Sequence, residues 1–131
     1  MPKQQNCTFI IPENILRKPE RHEKRIAQIL ANYFNCNVIF VKTEIIKTAD
    51  INIKGKIWEL KSPTGNSKHT IQHQFNRANK QSKYLVIDCS RTSKREITVK
   101  RESMRYFKES SLFKGLIIVS RKGKIILEIY K

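Results

Sequence analysis

Apolar residues in the first third of the chain recur at the spacing of a helix that buries one face. They predict a helix that begins at Lys18-Pro19-Glu20, because proline is favoured at the first helical position, and that ends near Asn35. The buried stripe consists of Ile26, Ile29, Leu30, Tyr33 and Phe34. Glu23 continues the stripe onto the core-facing side, where a carboxylate needs a partner. The alternative is a first-turn glutamate that is there because the helix dipole favours it.

Shorter apolar runs predict strands. Residues 38–41 form a near-continuous apolar run of the kind found inside a sheet that is covered on both faces. A segment that begins at Glu44 is expected to lead into a β-hairpin, whose turn is Lys54-Gly55 and whose second strand is residues 56–61. Further strands are predicted at residues 7–11, 84–88, 116–120 and 125–129.

Two more helices are predicted from spacing and caps. The first spans about residues 67–82, and an apolar stripe pins it to the sheet. This stripe consists of Ile71, Phe75 and Ala78. The second begins at a capping box in residues 93–96 and ends near Ser110, although Ile97 and Val99 are also compatible with a strand.

The order of these elements predicts an α/β or α+β fold in which helices flank a central mixed sheet. The chain has 131 residues, which is the length of one domain with a real core. We expect a single domain with a core at about residues 19–90. A C-terminal extension at about residues 91–131 adds a helix and a closing β-hairpin.

The predicted hairpin places two acids and an amine close together. If the turn has two residues, Asp50 lies directly opposite Glu59, and Lys61 shares a face with Glu59 because side chains alternate along a strand. Opposed carboxylates repel each other unless a cation lies between them, and Mg²⁺ is typically held by one or two carboxylates. The alternative is a surface hairpin whose acids are neutralised by Lys54 and Lys56.

The charge balance points to a polyanionic partner. The chain has 27 Lys and Arg residues against 11 Asp and Glu, a formal net charge of +16. Nucleic acid is the leading candidate for the partner, with an anionic membrane surface as the alternative. No stretch has the pattern of a basic amphipathic anchor, no apolar run is long enough to span a bilayer, and the amino terminus lacks the apolar core of a signal peptide.

The cysteines and histidines form no recognisable metal motif. Cys7, Cys36 and Cys89 have neither a zinc spacing nor the even number of a disulfide framework, and each is expected to be a small buried hydrophobe. His69 and His73 are four residues apart, so a helix places them on one face. Because no further Cys or His stands near enough to complete a site, we expect a solvated or phosphate-facing role for both.

A basic surface is predicted next to the hairpin, on the loop of residues 62–67 and the helix after it. The candidate nucleic-acid-binding residues are Ser62, Thr64, Lys68, His69, His73, Arg77 and Lys80. An ordinary strand-to-helix connection explains the loop residues equally well. A helix face of this kind is usually only solvated, but the nucleic-acid interpretation is favoured because the face follows the hairpin and is almost free of acids. Gln81 borders the apolar stripe of the helix and reaches the carboxylates if the helix packs over them.

Ala49-Asp50, eight residues, and then Glu59-Leu60-Lys61 resemble the signature of the PD-(D/E)xK nuclease superfamily. Alanine replaces the usual proline before the aspartate. The element order from the helix with Glu23 to the strand at residues 84–88 resembles the superfamily's restriction-endonuclease-like core, αβββαβ. The residues that match the superfamily's catalytic signature are Asp50, Glu59 and Lys61 of the predicted hairpin.

The resemblance is more specific in four segments. His22-Glu23, Ala49-Asp50-Ile51, residues 58–63 and residues 67–81 are similar to the tRNA-nuclease domains at the carboxyl ends of contact-dependent growth inhibition proteins. The resemblance implies metal ligation by Asp50 and Glu59, catalysis by Lys61 and a supporting polar role for Gln81. It also implies an active-site acid at Glu23, which is expected to complete the metal ion's shell or to hold a metal-bound water. Such domains normally end a very large exported protein, so a chain that begins at Met1 is expected to be an excised domain or a free-standing relative.

The function predicted from the sequence is metal-dependent hydrolysis of RNA, with tRNA as the expected substrate, by a toxin domain that acts in the cytoplasm of a target cell. The expected cofactor is Mg²⁺, with Mn²⁺ or Zn²⁺ as alternatives, and neither a small-molecule cofactor nor a membrane is expected as a partner. A cognate immunity protein, acidic enough to cover the basic face, is a further expected partner. The alternative functions are a restriction-like or junction-resolving DNA endonuclease and a non-catalytic basic nucleic-acid-binding module.

Overall fold

The computed structural model describes residues 6–15, 17–41, 50–78 and 83–131. Its strands are β1 (Phe9–Ile10), β2 (Val38–Phe40), β3 (Asp50–Ile53), β4 (Lys56–Lys61), β5 (Tyr84–Asp88), β6 (Gly115–Val119) and β7 (Ile125–Tyr130). Its helices are α1 (Arg21–Phe34), α2 (Thr70–Ala78) and α3 (Glu96–Glu109), with a short 3-10 turn, Cys89–Arg91, after β5. The predicted order αβββαβ is therefore present from α1 to β5, and the predicted helix and hairpin follow it.

The strands form one seven-stranded mixed sheet in the order β1 to β7. Tight turns join β3 to β4 and β6 to β7, and both pairs are antiparallel. The crossover helices α2 and α3 join β4 to β5 and β5 to β6, and both pairs are parallel because each crossover returns the chain to the same end. We call the end at which β4, β5 and β6 finish, and at which β3 starts, the carboxyl end of the sheet.

Helices cover both faces of the sheet. Ile26 and Leu30 of α1 pack against one face, in the same apolar cluster as Trp58 of β4. Phe75 of α2 and Val99 of α3 belong to a second cluster on the opposite face. The prediction of a central mixed sheet flanked by helices is confirmed.

β2 differs from its prediction because its side chains alternate between buried and exposed. Ile39 is 42% exposed, so the expectation of a strand covered on both faces is wrong. Ile39 is paired with Ile10 of the two-residue strand β1, and Ile10 is also exposed. This side of the sheet close to its edge is therefore left open.

The predicted helix starts are wrong by a few residues. α1 begins at Arg21, so Pro19 precedes the extended cap residue Glu20 instead of opening the helix. α2 begins at Thr70, after a turn in which the hydroxyls of Ser67 and Thr70 lie 3.2 Å apart. The predicted end of α2 lies outside the described residues, as does the predicted segment that begins at Glu44.

The predicted capping box of α3 is also wrong. Arg95 is the cap residue and makes no side-chain capping bond. The carboxylate of Glu96 instead accepts a hydrogen bond of 2.9 Å from the backbone N–H of Arg121, at the β6–β7 turn. Ile97 and Val99 lie in the helix, so the alternative of a strand is excluded.

The three cysteines are free, and the expectation that each is buried is correct for Cys89 but wrong for the other two. Cys89 is buried, and burial raises the pKa of its thiol to about 12, which keeps it protonated and unreactive. Cys7 and Cys36 are half-buried. Among the described residues, none of the helices combines the length and the apolar character that a bilayer crossing demands.

Candidate carboxylate and lysine site

The β3–β4 turn sets the register of the site. Lys54 and Gly55 both have a positive φ, 52° and 89°, which is the geometry of a two-residue turn that matches the twist of a hairpin. The side-chain oxygen of Asn52 accepts a hydrogen bond of 2.8 Å from the backbone N–H of Gly55. The turn places Ile53 opposite Lys56, as predicted.

The hairpin brings three of the predicted site residues to one face of the sheet. Asp50 is paired with Glu59 across β3 and β4. Trp58 and Leu60 belong to the apolar cluster under α1, so Glu59 and Lys61 point to the face that α2 and α3 cover. Asp50, Glu59 and Lys61 therefore share one face at the carboxyl end of the sheet, and the predicted register is confirmed.

Lys61 and Glu59 form an ion pair inside the protein. The Nζ atom of Lys61 lies 3.1 Å from Oε1 of Glu59, and both side chains are buried. Desolvation of the two charges costs free energy, which their attraction in the low-dielectric interior offsets. Loss of either partner therefore leaves a buried charge without its counter-ion.

Asp50 is the electrostatically strained member of the site. Burial and, to a smaller extent, the negative charge of Glu59 raise the pKa of its carboxyl to about 6, although Lys61 acts in the opposite direction. Its Oδ1 atom is buried and has no hydrogen-bond partner among the described residues. A buried carboxylate oxygen without a donor is costly, so this atom is available for a cation.

The donor set of the site fits a small, hard divalent cation. Two carboxylates face each other on adjacent strands, with the ammonium group of Lys61 beside them. Mg²⁺ is bound by carboxylate oxygens and leaves its other positions to water and to substrate phosphates. Asp50 and Glu59 are the residues that would hold such an ion.

Glu23 lies at the start of α1, and its partners there are not the hairpin acids. Its carboxylate accepts bonds of 3.0 and 3.2 Å from the guanidinium of Arg17 and a bond of 2.8 Å from the backbone N–H of Glu20. Among the described residues, one group of three has potential metal-ligating atoms that lie close together. It consists of Glu20, His22 and Glu23 and does not include Asp50. The structure therefore supports the first-turn role of Glu23, and metal ligation by it stays a prediction.

Asp88, at the carboxyl end of β5, is a polar anchor that the sequence analysis did not identify. It is buried, and it accepts hydrogen bonds from the hydroxyl of Ser62 at 3.0 Å and from the N–H and hydroxyl of Ser90, both at 2.9 Å. Arg25 of α1 lies 4.0 Å away. Since Ser62 directly follows Lys61, Asp88 fixes the end of β4. An acid directly after a buried apolar run was the available sequence signal.

A second set of bonds fixes the loop of residues 62–69. The hydroxyl of Thr92 donates to the carbonyl of Gly65, and Nζ of Lys94 donates to the carbonyl of Ser67 at 2.9 Å. Arg121 in turn donates from its guanidinium to the carbonyl oxygens of Thr92 and Lys94. The β6–β7 turn thus supports the loop through the segment that follows β5, a chain of contacts that no local sequence pattern predicts.

The predicted nucleic-acid-binding residues differ in how exposed their side chains are. Ser62 is half-buried and donates to Asp88, whereas Thr64, Lys68, His69, His73 and Arg77 are exposed. The imidazole rings of His69 and His73 stack, with centroids 6.3 Å apart, so the two histidines lie side by side, His69 directly before α2 and His73 within it. Lys80 and Gln81 lie outside the described residues, and their predicted roles stay predictions.

Comparison with known proteins identifies similar chains. Residues 47–125 match the family described as the contact-dependent growth inhibition CdiA C-terminal domain. None of the curated proteins matches the sequence. In the solved structure of a CdiA-CT/CdiI toxin and immunity complex from Burkholderia pseudomallei, one chain has the same fold, with a TM-score of 0.69 at 15% sequence identity. The similarity covers 92% of the present chain and 98% of that chain.

Proposed function

The chain belongs to the contact-dependent growth inhibition CdiA C-terminal domain family, and we propose that this toxin domain is a metal-dependent nuclease that hydrolyses RNA, with tRNA as its substrate. The observation that carries the proposal is the pairing of Asp50 with Glu59 beside the buried ammonium of Lys61. Two acids and an amine that converge in a chain of net charge +16 suit a reaction on a polyanion.

Three side chains have distinct roles in the proposed reaction. A divalent cation held by Asp50 and Glu59 would supply positive charge that stabilises the charge developing on the phosphoryl group. Glu59 keeps the ammonium of Lys61 in place through their contact of 3.1 Å. Lys61 assists the attacking water and balances the charge of the phosphate. Asp50, which ionises with a pKa of about 6, is charged at neutral pH and is then able to bind a cation.

The toxin role implies a protective partner. The neighbouring solved structure is described as a toxin and immunity complex, and we propose that the present domain also has a cognate immunity protein. An acidic surface on that protein would complement the net charge of +16. The proposed site of action is the cytoplasm of a target cell, where tRNA is available.

A substrate panel tests the proposed function. The purified chain is incubated with tRNA, other RNA and duplex DNA, in Mg²⁺ and in EDTA. We expect cleavage of tRNA in Mg²⁺, no cleavage in EDTA, and no cleavage by Asp50→Ala or Lys61→Ala under either condition. Unchanged cleavage in EDTA would exclude a catalytic role for a metal ion. Full activity of either variant would show that the assigned site is not the active site.

The same panel separates the other functions. A preference for duplex DNA would reassign the chain to the DNA endonucleases. Salt-sensitive binding that persists in Glu59→Gln, without product at any metal concentration, would leave a nucleic-acid-binding module.

A further inference from the structure

The outward face of α3 carries a basic groove that belongs neither to the carboxylate site nor to the predicted surface on α2. The groove has a volume of about 390 Å³. Its lining residues are Ile97, Lys100, Arg101, Met104, Arg105 and Lys108. Four of the six are cations, two are apolar, and none is acidic. We call it the α3 groove.

Most of the positive charge in the α3 groove is not neutralised by the protein. Arg105 forms an exposed ion pair with Glu109, one helical turn away, at 3.2 Å. Within the part of the chain that the structure describes, Lys100, Arg101 and Lys108 have no carboxylate within 4.0 Å. Arg101 and Lys108 are exposed, and so is Ile97, at 60%. The groove therefore presents free positive charge around an apolar centre.

The topology places the α3 groove on the same side of the sheet as the candidate site. Because β4 and β5 are parallel, α2 and α3 both start at the carboxyl end of the sheet, where Asp50 and Glu59 lie. The two helices pack side by side, with the rings of Phe75 and Tyr106 5.7 Å apart. A polymer that binds at the site from this face therefore lies on the side of the sheet that carries α3.

We propose that the α3 groove binds the phosphate backbone of the RNA substrate outside the catalytic centre, an inference that rests on the proposed function. The cations from Lys100 to Lys108, with Ile97 before them, extend along about 16 Å of helix, a length over which one strand presents several phosphates. Ile97 and Met104 contact the sugars and the base faces between those phosphates. The groove supplies substrate affinity, whereas the hairpin supplies the chemistry.

An acidic protein is the other occupant that the charge of the groove would suit. RNA is favoured because two further exposed cations, Lys68 in the turn before α2 and Arg77 in α2, belong to the adjacent part of the same layer. These two cations and the α3 groove are two positive regions of one layer. A long polyanion neutralises both of them at once.

A charge-reversal experiment with a matched control tests the proposal. The test variant is Arg101→Glu with Lys108→Glu. The control is Lys83→Glu with Lys114→Glu, two exposed lysines that precede β5 and β6 and so lie at the opposite end of the sheet. Both variants change the net charge equally. The probe is fluorescent unfractionated tRNA, titrated in EDTA at several salt concentrations, and cleavage in Mg²⁺ is measured separately.

We expect the test variant to weaken tRNA binding about tenfold more than the control, and to reduce the slope of log Kd against log salt by about 1.5. Its KM for tRNA should rise while kcat stays at the wild-type value. Equal affinity and slope in the two variants would overturn the proposal. So would a reversal that spares tRNA binding but abolishes protection by an immunity protein, which would assign the groove to that protein. A chain that binds tRNA through α3 but cleaves nothing would instead refute the proposed function alone.

Discussion

At the scale of single residues, Asp50 determines how the stability of the metal-free protein depends on pH. Its folded-state pKa, about 6, is higher than the ordinary aspartate pKa of 3.8. A carboxyl with a raised pKa contributes stability while it is protonated, and this contribution is lost as pH rises through the folded-state pKa. Above pH 6, the ionised carboxylate therefore weakens the fold unless a cation is bound.

Asp50→Asn should accordingly stabilise the metal-free chain at pH 8. Thermal melts in EDTA should give the variant the higher Tm at pH 8, and the difference should shrink as pH falls from 8 to 5. A variant that melts at or below the wild-type Tm at pH 8 would contradict the cost assigned to Asp50. Addition of Mg²⁺ should raise the Tm of the wild type and leave that of the variant unchanged.

Lys61 should matter for stability as well as for catalysis, because Glu59 is buried beside it at 3.1 Å. Removal of one partner of a buried pair costs about 3 kcal/mol or more. Lys61→Met should lower the free energy of unfolding in urea by about that amount. The double variant Lys61→Met with Glu59→Gln should recover part of the loss but no activity. If the single variant is as stable as the wild type, the pair does not hold the site.

At the scale of elements, the sequence predicts those features of helices and strands that depend on neighbouring residues in the chain. The hairpin register follows from a two-residue turn and from strict alternation, so the pairing of Asp50 with Glu59 was predictable. The cap of α3 was not, because Glu96 bonds to a residue 25 positions away. The exposure of Ile39 also depends on what packs above a strand near the sheet edge, and an apolar run does not contain that information.

The β3–β4 turn allows the contribution of backbone conformation to the stability of the hairpin to be tested. Gly55 has a φ of 89°, and a Cβ atom added to it would meet nothing within 4 Å. Gly55→Ala should therefore destabilise the protein through backbone strain alone, by about 1 kcal/mol. Gly55→Asn should cost less, because asparagine tolerates the left-handed region. Urea unfolding of both variants measures this order, and an alanine variant that is as stable as the asparagine one would contradict it.

The loop of residues 62–69 depends on contacts from a different part of the chain. Thr92 is buried, and its hydroxyl donates to the carbonyl of Gly65. Thr92→Val keeps the shape and removes the donor, so we expect a loss of about 1–2 kcal/mol in urea unfolding. Because the loop carries predicted substrate contacts, KM for tRNA should rise as well. Thr92→Ser, which keeps the hydroxyl, is the control and should preserve KM; a rise in KM for both variants would show that the hydrogen bond is not the cause.

At the scale of the whole molecule, the candidate site and the α3 groove lie on the same face of the sheet. Ile26 and Leu30 of α1 close one face with an apolar cluster. The other face carries the hairpin acids together with α2 and α3, and the outer surface of α3 is basic. A net charge of +16 is self-repulsive in a compact chain, and a polyanionic partner relieves that repulsion. The family match and the fold are consistent with this arrangement in a toxin domain.

The central proposal is that Asp50 and Glu59 bind a divalent cation, and that this ion and Lys61 together promote the hydrolysis of RNA. The most direct measurement is the rate of tRNA cleavage by the wild type and by Glu59→Gln, compared at equal concentrations of folded protein. Each protein is first treated with EDTA, and Mg²⁺ is then titrated in. We predict a rate that rises from zero and saturates for the wild type, and no cleavage at any Mg²⁺ concentration for Glu59→Gln. Cleavage by the wild type before Mg²⁺ is added, or a wild-type rate in the variant, would contradict the claim.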